Sequence, residues 1–253
     1  MANIGKLGRQ PSPRDRRTLW YARYAAAPSY TAPPPLDDWT GPISTYTWLA
    51  NDRVGSCTRT AYGHIIQQRC ALLGVRCTLT DEQVLKSYRD GTDWDGVPGS
   101  VTDRGDTILR ALTSMRNKGL GEYRIRQFGR VNHNDTIEMR AALHLFGSLI
   151  VGASLPRSIL RDTSWDVGPP GSRSADDMPG SLGGHAFILT GHQRGQWWAM
   201  PWIDKTTITY AWDDLYIEEA WFVVDDLWIT QNRAAPNGFD LERLEADAAA
   251  IAA

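Results

Sequence analysis

The spacing of apolar residues divides the chain into two halves of different character. Past Cys57, the residues Ala61, Tyr62, Ile65, Ile66, Cys70, Leu72 and Leu73 recur at helical intervals, predicting a helix with one buried face that ends near Gly74. Thr80 followed by Gln83 marks a second helix start, with Val84, Leu85 and Tyr88 inward. Residues 104–118 repeat the pattern through Ile108, Leu109, Leu112 and Met115 and stop at Gly119. Beyond residue 120 the period shortens. Residues 123–128 alternate as a strand does, 135–146 form an amphipathic helix stopped by Gly147, and 148–155 are a continuous apolar strand closed by Pro156. A long Gly/Pro/Ser loop over 157–182 is of a length that usually carries function or an interface. Four strands then follow, over 185–190, 196–203, 206–212 and 220–224. Helices first and antiparallel strands later predict an α+β fold of two lobes.

The flanks read differently. Residues 1–35 are an extended arm, with Lys6, Arg9, Arg14, Arg16, Arg17 and Arg23 against a single Asp15, and with Pro11, Pro13, Pro28 and the Pro33-Pro34-Pro35 run keeping it open. Within it, 17–27 is a short helix with Leu19, Trp20 and Tyr24 as its apolar side. Such an arm suits docking on a neighbouring subunit; the competing arrangement wraps it on its own domain through Trp20 and Tyr24. Residues 37–49 lead in as an extended segment, with Trp39, Tyr46 and Trp48 toward a core. The division is therefore an arm over 1–35, a domain over 36–235 with its helical half to about 120 and its sheet half from 121, and a tail helix over 236–253. The turn Pro236-Asn237-Gly238 introduces that helix.

Composition narrows the function classes. The 253 residues are enough to bury a sizeable core, and a net charge of −2 supplies no basic field that signals nucleic acid. No apolar run reaches spanning length and no signal-peptide core is present, so a soluble protein of a reducing cytosol, without membrane association, is expected. Three cysteines, Cys57, Cys70 and Cys77, make neither a disulfide framework nor a zinc site, and no bridge between Cys70 and Cys77 is expected. Asp93-Trp94-Asp95-Gly96 lacks the closing glutamate of an EF-hand. No metal or cofactor is expected.

The chemistry gathers at two places. In Asn51-Asp52-Arg53-Val54-Gly55-Ser56-Cys57-Thr58 a glycine turn opens a helix with Cys57 in its first turn, Ser56 as N-cap and Asp52 near the same end. Amides at a helix start favour thiolate over thiol. Far downstream, Gly183-Gly184-His185-Ala186 opens a strand. His64 lies roughly 10 Å along the helix from Cys57, too far to be its base. His144 is expected at the surface, His133 in a turn and His192 in solvent, and the run Asp213, Asp214, Glu218 and Glu219 as a solvated face.

A cysteine at a helix start in the helical half, with a histidine opening a strand in the sheet half, resembles the papain-like cysteine peptidase superfamily. Asn51 to Thr58, the Pro/Arg-rich arm, Gly-Gly-His-Ala and Asn237-Gly238-Phe239-Asp240-Leu241 together are similar to a phage and prophage subgroup of it. The resemblance implies Cys57 as nucleophile, His185 as base and Asn51, six residues before the cysteine, as oxyanion donor where the family has glutamine. It also implies an asparagine two residues before Trp202 to orient the histidine. Met200 stands there, so the site is expected to be degraded. On that basis the chain is expected to be a virion-associated structural protein of the minor capsid or decoration type. It would be made in the bacterial host cytoplasm and carried into the virion, its arm on other capsid subunits and with possible self-association. The alternative is an active thiol hydrolase, a peptidase or peptidoglycan amidase, using Cys57 and His185.

Overall fold

The computed structural model describes residues 4–25, 33–43, 46–161, 164–169, 171–232 and 240–252, so the Pro236-Asn237-Gly238 turn lies outside the described residues. In chain order these form β1 (Arg9–Gln10), β2 (Leu36–Asp38), α1 (Cys57–Leu73), α2 (Asp81–Gly91), β3 (Asp106–Thr107), α3 (Ile108–Lys118), β4 (Ile125–Val131), α4 (Thr136–Phe146) and β5 (Leu149–Leu155). Then come β6 (Ser164–Trp165), β7 (Gly183–Gln193), β8 (Gln196–Met200), β9 (Thr206–Thr209), α5 (Tyr210–Tyr216), β10 (Ile217–Asp225), α6 (Asp226–Asn232) and α7 (Leu241–Ala252). This is an α+β architecture, as the periodicity predicts. The capping box of Thr80 and Gln83 opens α2, the Thr107 hydroxyl caps α3, and Asp135 caps α4. Left-handed Gly74 and Gly147 close α1 and α4.

The main sheet runs β4-β10-β5-β7-β8-β9-β6, with β2 added on the far end of β7. Its central strands are covered on both faces, which is why they read as unbroken apolar runs. Ile150, Ile188, Trp221 and Val223 turn toward α1 and α3, packing with Ile65, Ile66 and Leu112. Val151, Phe187, Leu189 and Phe222 face the other way, onto Phe146 of α4 and the tryptophans Trp165, Trp197, Trp212 and Trp228.

Four expectations are corrected here. Helix α1 is buried on all sides through Cys70, not on one face. Its polar residues find partners inside the protein: Arg59 pairs with Asp106, Arg69 with Asp225 at 2.7 Å, and Gln68 donates to the carbonyls of Trp39 and Gly147. Residues 206–212 are not one strand, because Thr209 caps a new helix through the Trp212 amide. His192 is buried, since β2 and β8 flank it on both sides. The acidic run is solvated only in part: Asp214 and Glu218 are exposed, but Asp213 accepts the Trp197 indole proton at 2.7 Å and Glu219 is fully buried.

The described part of the arm packs on its own globule, the arrangement through Tyr24. Tyr24 and Leu19 are buried, Tyr21 packs edge-on against the stacked rings of Phe146 and Phe222, and the Tyr24 hydroxyl donates to Asp247 of α7. Trp20 stays partly exposed, its ring under the Arg130 guanidinium. Arg9 is buried as well, its guanidinium pairing with Glu219 at 2.5 Å and Glu218 at 2.5 Å.

Two stability predictions follow from these buried charges. Arg9→Ala strands the Glu219 carboxylate in the core and is expected to lower the unfolding free energy by about 3–5 kcal/mol, read by urea denaturation. Burial, with Asp214 adding to it, pushes the Asp213 carboxyl up to about 7 against the Trp197 bond. The folded state therefore holds a proton that the unfolded state releases above its ordinary value, and stability falls as pH rises through that interval. Asp213→Asn removes the titration; it should be more stable than the parent at pH 8, by on the order of 2 kcal/mol, and the gain should vanish below pH 4.

Candidate active site

Cys57 is positioned by a strained turn. Leu49 and Ala50, both buried, take left-handed φ values of 48° and 64°, an uncommon conformation for side-chain-bearing residues. The Ala50 carbonyl then accepts the amides of Arg53 and Val54. The Gly55 amide donates to both Asp103 carboxylate oxygens at 3.1 Å, and Asp103 in turn accepts the Tyr88 hydroxyl at 2.7 Å. The loop before β3 is thus fastened to the turn that precedes Cys57. Ser56 occupies the cap position without a side-chain cap bond, and Asp52 sits 3.6 Å from Arg53. Asp103, which the sequence did not single out, anchors the turn in place of the capping expected of Ser56.

His185 lies where β7 loses a neighbour. β8 pairs with β7 from Ile188 onward and ends at Met200, because the next residue, Pro201, has no amide to continue the ladder. Residues 183–186 therefore keep one edge open. The Pro201 carbonyl accepts from His185 Nε2 at 2.6 Å. A carbonyl can only accept, so the ring proton is on Nε2 and Nδ1 is left as the basic nitrogen. Among the described residues Nδ1 has no hydrogen-bond partner. Trp202 stacks on the imidazole, with ring centroids 4.8 Å apart. Met200 is buried in the core beneath α1 and offers no amide, yet the backbone of the following residue fixes the tautomer that an asparagine would fix.

The arm fills the open edge. Gly8 donates its amide to the Gly184 carbonyl at 3.2 Å and accepts from the Asp106 amide at 2.8 Å, and β1 then pairs in parallel with β3. Asn51 receives Lys6: its carbonyl accepts the Lys6 amide at 2.6 Å, and its side-chain amide donates to the carbonyls of Lys6 at 2.9 Å and Val54 at 3.1 Å. The proposed oxyanion donor is occupied by a peptide carbonyl of the arm. The fit requires glycine, since a Cβ on Gly8 would lie 2.4 Å from the Gly55 carbonyl oxygen and one on Gly184 2.2 Å from that of Arg9.

Burial sets the protonation of the pair. Cys57 and His185 are each 0 % exposed. Desolvation pushes the thiol up to about 11, against the amides of Ala186, Gly8 and Thr58 and the charge of Arg9, which favour thiolate. The same burial pushes the imidazole down to about 4. Both groups are neutral at pH 7, the reverse of the thiolate expected from the helix start alone, because the loss of water outweighs the helix-end field. No hydrogen bond joins Cys57 to His185 among the described residues.

The other sequence candidates lie apart from this cleft. His64 is buried with Nε2 on the Thr47 carbonyl at 2.9 Å, and His144 pairs with Asp37 at 2.8 Å. The three cysteines are free, Cys77 being the half-exposed one. No group of three or more His, Cys, Asp or Glu able to hold a metal occurs among the described residues, and no described helix is long and apolar enough to cross a membrane.

No protein-family model matches the chain, and no curated protein matches it in sequence. Solved structures do. Xylellain, a cysteine protease from Xylella fastidiosa, superposes with a TM-score of 0.68 at 17% identity, covering 87% of this chain and 96% of its own. A recombinant stem bromelain precursor gives 0.53 at 14% identity over 88% of this chain and 80% of that one. Digestive procathepsin L 3 of Tenebrio molitor larval midgut gives 0.52 at 11% identity over 87% and 75%. At these identities the likeness is one of fold, and the fold of this chain is papain-like.

Proposed function

We propose that the chain is a papain-like thiol hydrolase acting on peptide bonds, held closed by its own N-terminal arm. The observation that carries this reading is the Nε2–Pro201 hydrogen bond under Trp202, which leaves Nδ1 of His185 as a base beside the Cys57 helix start. Once the arm leaves, water reaches the thiol, and the helix-start amides and the Ala186 amide act on it without the desolvation penalty. Sγ then attacks the peptide carbonyl carbon while Nδ1 takes the thiol proton. The imidazolium returns that proton to the departing amine as the C–N bond breaks. Water hydrolyses the resulting thioester, regenerating the thiol. The Asn51 amide, which now holds the Lys6 carbonyl, is placed to hold a carbonyl oxygen of substrate.

A second reading, a virion-associated structural protein with a degraded site, is favoured by the full burial and neutrality of Cys57 and His185 and by Met200 at the orienter position. The two readings separate on one measurement. Full-length Arg9→Ala, with its arm loosened, should hydrolyse a casein or quenched-peptide mixture at least ten-fold faster than the parent, and Cys57→Ala in that background should abolish the activity. Background rates in every form would refute the hydrolase reading and favour the structural one. Alkylation gives a second handle: in the unmodified chain Cys77 should react with iodoacetamide before Cys57, and Arg9→Ala should reverse the order.

The closed form should also be acid-sensitive. His185 and His64 are both held down to about 4 by burial, against an ordinary value of 6.5. The unfolded or opened chain binds more protons between these values, so the stability of the closed form is lost as pH falls through this window. The urea midpoint is expected to drop between pH 6.5 and 4, and His64→Gln should flatten part of that dependence.

A further inference from the structure

The anchor of the arm has the construction of a recognition pocket. Arg9 Nε and Nη2 reach Glu219 Oε1 at 2.9 and 2.5 Å, while Nη1 reaches Glu218 Oε2 at 2.5 Å. Two edges of one guanidinium are engaged by two carboxylates, a match that a lysine ammonium does not reproduce. The acceptors are held by other groups. Trp221 Nε1 donates to Glu219 Oε2 at 2.9 Å, the Ser12 amide reaches Oε1 at 3.3 Å, and the Ser154 hydroxyl donates to Glu218 Oε1 at 2.6 Å. Gly152 provides the room, since a Cβ there would stand 2.7 Å from Arg9 Nε and 2.8 Å from Glu219 Cγ.

Apart from Ser12, these parts belong to β5 and β10 in the middle of the sheet, so they stay when the arm leaves. Charge then goes out of balance. Among the described residues Glu218 and Glu219 then keep Arg130 as the one ion-pair partner, its Nη2 3.9 Å from Glu219, with His133 nearby and held toward its neutral form by burial. An emptied pocket that is short of one cation, shaped for a planar fork and fully buried at Glu219 is selective for an arginine side chain. Its place relative to the thiol is set by the arm, because Gly8 packs directly against Gly55, two residues before Cys57, and Arg9 is the next residue.

We infer that Glu218 and Glu219, over Gly152, determine substrate choice: the opened cleft takes peptides that present a glycine to Cys57 and an adjacent arginine to this pair, as Gly8 and Arg9 do in the closed chain. The substrate class rests on the hydrolase reading; the guanidinium pocket itself does not.

The test uses full-length Arg9→Ala with N-acetylarginine amide and its neutral isostere N-acetylcitrulline amide. The arginine amide is expected to raise the melting temperature by several degrees and the citrulline amide to leave it unchanged. Arg9→Ala/Glu219→Gln, which removes the stranded charge and so keeps the experiment sound should the single variant fold poorly, should respond to neither. Quenched peptides with Gly-Arg or Arg-Gly cores should be cleaved at least ten-fold faster than their citrulline counterparts, a preference that Glu219→Gln erases. Equal responses to both amides, or cleavage without arginine preference, would overturn the pocket. A selective thermal response with no Cys57-dependent cleavage of any peptide would uphold the pocket and overturn the hydrolase reading and the substrate class resting on it.

Discussion

The buried ion pair between Arg9 and Glu219 ties together parts of the molecule that would otherwise have no reason to meet. Each ion alone in this core would carry a desolvation cost of several kcal/mol, so neither is tolerable without the other. The forked, doubly hydrogen-bonded geometry offsets that cost in a way that a single contact would not. Two positions 210 residues apart are thereby fixed against each other. With Arg9 held on Glu219, residues 6–8 pass Asn51 and Gly184, so the same pair also holds in place what covers Cys57.

Pro201 exerts a second control with modest means. By lacking an amide it stops β8 and leaves the edge of β7 unpaired, and an exposed sheet edge invites a further strand. The arm lies against it instead, giving one backbone bond from the Gly8 amide to the Gly184 carbonyl while its own strand β1 pairs with β3. The carbonyl of Pro201 fixes the imidazole proton on Nε2. Edge and tautomer therefore share a single backbone cause.

The electrostatics of the site are a property of closure. A helix start lowers a thiol pKa by a field worth about 1–2 kcal/mol, whereas complete burial shifts ionisable groups by several units. With the arm in place the second effect prevails, and thiol and imidazole are both neutral. Neither side chain carries the charge of a thiolate–imidazolium pair.

What the sequence by itself determined is local. The Thr80–Gln83 box, the glycines that close α1, α3 and α4, the apolar strands of the sheet and the places of Cys57 and His185 all follow from neighbours within a few residues, and all are found where expected. Short elements escaped, since α5 and α6 have seven residues each and show too few turns for a period. Residues 206–212 read as one strand because the cap at Thr209 leaves the apolar pattern unbroken. The remaining features depended on partners distant in the chain. Glu219 reads as a surface acid until Arg9 arrives, His192 as solvated until β2 and β8 flank it, and Met200 as a missing orienter until the backbone of Pro201 takes the imidazole proton. Burial and pairing are properties of the assembled fold, and it was they that decided the charge of Cys57 and the occupant of the cleft beside it.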